Sequence, residues 1–140
     1  MTMAEAIIVS IIVASTPLLL AALGELVAER SGVLNLGVEG MMVMGAVAGF
    51  IVSYETGMPL LGVLAAVVAG MVTASLFAFV TLVLVANQVA SGLALTLLGL
   101  GFAALIGEPY ANKPGVKLQQ IHIPGLSDIP FLGPIVFGQD

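Results

Sequence analysis

Between Glu55 and Glu108 the chain carries no charged residue of either sign. A surface facing water cannot be built from such a stretch, so it must face lipid or other protein. The whole sequence agrees: 60% of residues are apolar and 8% are charged, against about 25% charged in soluble domains. The expectation is an all-α integral membrane protein. A net charge of −5 offers no footprint for nucleic acid. Three basic residues are too few for a polybasic lipid-binding patch. With no cysteine, disulfides, thiolate catalysis and cysteine-based metal sites drop out together. The first apolar run has neither the basic start nor the small-residue cleavage site of a signal peptide, and reads as a retained span.

Crossing a hydrocarbon core about 30 Å thick takes about 20 apolar residues in a helix. Four segments qualify, near 6–23, 36–53, 60–86 and 89–106. The first is expected to stop at Gly24-Glu25 and to kink at Pro17. The third is about 40 Å long as a helix and must tilt, bend or protrude. Gly107 and Pro109 close the fourth. No run has the alternation of a membrane β-strand. Residues 1–107 therefore read as a polytopic bundle of about four transmembrane helices. Residues 108–140, with five prolines and four glycines, read as an irregular Pro/Gly-rich extramembrane loop. Its apolar patches "IHIPGL" and "IPFLGPIVF" argue against free disorder.

Small residues four apart let helix backbones approach closely in membranes. Gly62, Ala66, Gly70, Ala74 and Ala78 form one such series, and Gly92, Thr96, Gly99 and Ala103 another. Gly45 and Gly49 continue a line from Gly37. These describe helices packed in a bundle rather than a single anchor.

Candidates for chemistry are few. His122 is the only histidine and reads as a surface or packing residue. No catalytic constellation, HExxH or phosphate-binding loop is present. The expectation is no enzyme, no catalytic or metal site, and no cofactor in this chain.

The polar exceptions are "ERSGVLNLGVEGMM" and "ANQVASGLAL". In the first, Asn35 is a good N-cap and Glu39 falls in the first helical turn, where the helix dipole favours a carboxylate. Gly37 and Gly40 permit close backbone approach. Two readings stand: a capped helix start at the membrane boundary, or a helix beginning within the membrane thickness beside a polar pathway. An embedded Glu39 would support the second. In the other stretch, Asn87, Gln88 and Ser91 either make a tight helix–helix turn or line a polar lumen.

These two stretches resemble the permease subunits of bacterial ABC importers for simple sugars, branched-chain amino acids and nucleosides, most of all the nucleoside (purine-type) branch. "IPGLSDIPFLGP" is similar to an extracytoplasmic loop of one of that branch's two permeases. The resemblance implies a multi-pass subunit of the bacterial plasma membrane that forms part of a translocation path. Its partners would be a second permease subunit, a cytoplasmic ATPase dimer that binds the ATP, and an extracytoplasmic substrate-binding lipoprotein. Positions matching the motifs are Asn35, Gly37, Glu39 and Gly40, then Asn87, Gln88, Ser91 and Gly92. Members of this family run to about twice the present length, so the chain reads as an N-terminal half, without the loop that docks on the ATPase. The family pattern places the N-terminus and the proline-rich loop outside, with Arg30 and Asn87 inside. A simple sugar or a branched-chain amino acid is the alternative solute. A non-transporting membrane scaffold is the alternative role.

Overall fold

A computed structural model describes residues 3–116. His122 and the proline-rich stretch from Lys117 onward lie outside the described residues. The described elements are helices α1 (Met3–Arg30), α2 (Val38–Thr56), α3 (Pro59–Ala78) and α4 (Gln88–Gly107). A π-helical turn, Phe79–Val83, follows α3, and a 3₁₀ turn, Glu108–Tyr110, follows α4. Among the described residues, four helices are long and apolar enough to cross a membrane, and no strand occurs. The protein is an all-α, polytopic membrane protein.

The chain divides into two units. Of the first, Met3–Ala22 is described: a stretch of α1 with no buried residue. Its few hydroxyls are returned to their own helix, Ser10 Oγ donating to Ala6 O (2.9 Å) and Thr16 Oγ1 to Ile12 O (2.7 Å). A lipid-facing helix must satisfy its polar groups in this way. The helix is continuous across Pro17.

The second unit, Leu23–Val116, holds the rest of α1 and the other three helices. Rather than stopping at Gly24-Glu25, α1 runs on to Arg30. Glu25 has a bonding partner in the following turn, described below, so the ionisable residue does not have to end the helix. Within this unit α2 packs against both α3 and α4, which touch each other little.

Glycines make both seams possible. A Cβ on Gly99 of α4 would sit 2.7 Å from Gly40 O and 2.8 Å from Gly40 Cα of α2. One on Gly40 would lie 2.7 Å from Leu95 O and Thr96 Cα. Along α2 and α3, a Cβ on Gly62 would run into Ser53 Oγ and lie 2.6 Å from Gly49 O. Backbones touch directly at these points, the contact that small residues allow in membranes. Of the third span's small series, Gly62 and Ala66 meet α2, whereas a Cβ on Gly70 would meet nothing within 4 Å.

Two helix ends depart from the expected boundaries. α2 continues past Ser53 to Thr56 because Gly57 takes φ +66° and donates its N–H to Ser53 O (2.9 Å). This is a left-handed cap that favours glycine. The third span does not reach Ala86. It loosens into the π turn and closes through Leu84 N to Phe79 O (3.1 Å) and Ala86 N to Val80 O (3.2 Å). Val85 sits between them at φ +53°, a conformation that costs a β-branched residue about 1–3 kcal/mol.

Candidate functional site

Seven residues, 31–37, separate α1 from α2 without helical structure. Each backbone N–H and C=O there lacks a helical partner and needs another. The first part closes on α1: Gly32 N donates to Glu29 O (2.9 Å) and Val33 N to Ala28 O (3.0 Å). From Leu34 onward side chains take over. Gln88 of α4 accepts from Leu34 N through Oε1 (2.7 Å), and its Nε2 donates to Gly32 O (3.4 Å). Glu25 of α1 accepts from Asn35 N through Oε1 (3.0 Å). Asn35 Oδ1 accepts from Gly37 N (2.9 Å), and Thr96 of α4 donates its hydroxyl to Leu36 O (2.9 Å). Side chains of α1, α4 and the turn itself thus replace a missing stretch of helix.

Asn35 is not the N-cap. α2 begins at Val38 with Gly37 as its cap residue, which makes no side-chain cap bond. The Asn35 side chain instead closes a turn onto the N–H two residues on, a local bond typical of asparagine. The cause lies in α4. A Cβ on Gly92 would be 2.8 Å from Leu36 N and 3.0 Å from Gly37 N. With Thr96 bonded to Leu36 O as well, the chain is held in the turn until it has passed that helix. Glu39 lies in the first turn of α2, as its spacing indicates, and its side chain is exposed.

Asn87 caps α4, its Oδ1 accepting from Ala90 N (3.0 Å). Gln88 is engaged by the turn. Ser91 is half-buried and borders a cavity of about 230 Å³ whose other walls are apolar, among them Leu76, Phe77 and Leu95. Gly92 is buried against the turn, and Gly37 and Gly40 are buried beside α4. The structure therefore brings Asn35, Gly37, Gly40, Gln88 and Gly92 together, with Asn87 anchoring the adjacent helix start. Glu39 and Ser91 are not tied into the hydrogen-bond set around the turn.

Two contributors were not legible as such. Glu25 reads from sequence as a helix stop, and Thr96 as a small packing residue. An ionisable side chain four residues before another on the same helix was the available signal for Glu25. Nothing local pairs Thr96 with Leu36, 60 positions away. The second oxygen of Glu25, Oε2, is buried and has no hydrogen-bond partner among the described residues. Those residues contain no group of three His, Cys, Asp or Glu placed to hold a metal ion.

The opposite end of the bundle is aromatic. Phe50 and Tyr54 stack at 6.3 Å, Tyr54 meets Tyr110 edge-on at 5.8 Å, and Lys113 Nζ lies 5.9 Å from the Tyr54 ring centroid. Tyr110 donates its hydroxyl to Glu55 (2.8 Å).

Comparison with known proteins bears on the whole of this arrangement. The profile of the family described as "Branched-chain amino acid transport system / permease component" matches residues 7–129. A putative glucose ABC transporter permease protein of Haloferax volcanii is 41% identical across 98% of this chain and 43% of its own length. A guanosine ABC transporter permease protein of Bacillus subtilis is 38% identical across 93% of this chain and 46% of its own. A nucleoside ABC transporter permease protein of Lactococcus lactis is 30% identical, with 96% and 46% covered. The chain thus spans under half the length of these curated relatives. No solved structure matches it.

Proposed function

The chain belongs to the family of branched-chain amino acid transport system permease components, and we propose that it supplies the N-terminal half of the solute path in an ATP-driven importer of nucleosides. One observation carries this reading. Between two spans lies a non-helical segment whose backbone is satisfied by Gln88, Glu25, Asn35 and Thr96. Irregular backbone held by side chains of neighbouring helices is tolerated where protein or a water-filled cavity covers it, and transporters place such segments beside their solute path. Asn35, Gly37, Glu39 and Gly40, with Asn87, Gln88, Ser91 and Gly92, form or border the path in this reading. Bonds from α4 to the turn make its shape depend on how α2 and α4 sit together, which gives a means of opening and closing it.

The solute assignment draws on two relatives named for guanosine and for nucleosides; the relative named for glucose makes a sugar the competitor. The remaining parts of the machine are a second permease subunit, an ATPase dimer holding the ATP, and a substrate-binding lipoprotein. In this arrangement Arg30 and Asn87 face the cytoplasm and Glu55 faces outside. Cysteines placed at Arg30 and Glu55 test the orientation: an impermeant reagent added from outside labels the second and spares the first. The function is tested by reconstituting the complete permease with these partners and measuring ATP-dependent uptake of guanosine and glucose. Guanosine uptake that stops without ATP is the expected result. Glucose uptake with no guanosine uptake would move the substrate to the sugars, and uptake of neither would end the transport reading.

A further inference from the structure

Two hydrogen-bonding groups at the turn are underused, and they sit on residues joined to each other. Asn35 N donates to Glu25 Oε1 at 3.0 Å, while Glu25 Oε2, buried, has no donor among the described residues. A buried carboxylate oxygen without a donor costs more than an ordinary unmade bond, so it calls for an explanation. On Asn35 the carboxamide oxygen is committed to Gly37 N. Among the described residues its Nδ2 reaches only Met41 Sδ, at 3.7 Å, and a thioether is a weak acceptor. The pair thus offers one unfilled acceptor and one poorly filled donor, of opposite polarity.

We propose that Glu25 and Asn35 together bind a vicinal diol of a neutral solute. One hydroxyl donates to Glu25 Oε2 and its neighbour accepts from Asn35 Nδ2. A hydroxyl is both donor and acceptor, so a diol satisfies the two groups at once, and hydrogen bonds to a charged group are the stronger kind. A second carboxylate or a cation alone would satisfy one group and leave the other. This inference rests on the transport reading above, and it names the part of the solute that is recognised: the ribose hydroxyls of a nucleoside, or the equivalent pair on a sugar. Oε2 is buried in this conformation, so the solute reaches it through a local opening of the turn.

Two substitutions separate binding from support of the turn. Glu25→Gln keeps an oxygen for Asn35 N–H and replaces the unfilled oxygen by a donor. Asn35→Asp keeps the oxygen for Gly37 N–H and replaces the donor by an acceptor. The complete transporter in nanodiscs is titrated with guanosine, 2′,3′-dideoxyguanosine and glucose, as wild type and as each variant. Each variant is expected to weaken guanosine about tenfold, near 1.4 kcal/mol, and to leave dideoxyguanosine unchanged. Loss confined to guanosine assigns the diol to ribose; an equal loss for glucose assigns it to a diol whatever carries it. Equal weakening of guanosine and dideoxyguanosine, or no weakening, overturns the diol site and leaves Glu25 a support of the turn. ATP-driven uptake by the same wild-type preparation is read first. Its absence counts against the transport reading itself, whereas uptake with unselective variants counts against the diol site alone.

Discussion

At one end of the bundle, five backbone groups of the Gly32–Gly37 turn are held by the side chains of Gln88, Glu25, Asn35 and Thr96. At the other end, α2 and the region after α4 meet through the rings of Phe50, Tyr54 and Tyr110 and an exposed bond from Tyr110 to Glu55. The first end ties backbone groups of the turn to side chains of α1 and α4, so each bond lost there removes a link between elements. The second adds favourable ring contacts on top of a helix hairpin already closed by Gly57 and Pro59. Shape at the first end therefore depends on how helices are placed, and shape at the second is set locally. The path proposed above lies at the end whose shape depends on helix placement.

The largest effect is expected where the polar end is pressed against α2. Gly99→Val puts side-chain atoms into Gly40 and should cost roughly 3 kcal/mol by overpacking, read as thermal unfolding of the purified complete protein. Gly70→Ala, with nothing within 4 Å, is the control and should change little. Next comes Gln88→Ala, which removes the partner of Leu34 N and should cost about 1 kcal/mol or slightly more. Asn87→Ala removes the α4 cap and should cost about 1 kcal/mol. Val85→Gly works in the other direction, relieving the left-handed backbone for a gain of about 1 kcal/mol. The smallest effect is expected at the aromatic end, where Tyr110→Phe should leave Tm unchanged. A Tyr110→Phe loss larger than that of Gln88→Ala would reverse the comparison between the ends.

Much of the scaffold was readable because membrane spans are long, uninterrupted and apolar. The four helices and the close-packing glycines at 40, 49, 62, 92 and 99 follow from local pattern. What escaped was whatever depends on a distant partner. Asn35 reads as an N-cap by its neighbours, yet Gly92 and Thr96 hold Leu36 in the turn and delay the helix to Val38. Gly24-Glu25 reads as a stop, yet the Glu25 carboxylate is used by Asn35 N and the helix carries on. Gln88 reads as a turn or lumen residue, and its bond to Leu34, 54 positions away, leaves no trace in spacing.

The central claim is that side chains, most of them from α1 and α4, hold the turn from Leu34 onward. Hydrogen–deuterium exchange of the complete protein in nanodiscs tests it most directly, comparing wild type with Gln88→Ala at single amides. Leu34 N–H should exchange slowly in the wild type and at least about tenfold faster in the variant, the equivalent of about 1.4 kcal/mol. Met41 N–H, bonded to Gly37 O at 3.1 Å, should be unchanged. A Leu34 amide exchanging at the same rate in both proteins would contradict the account.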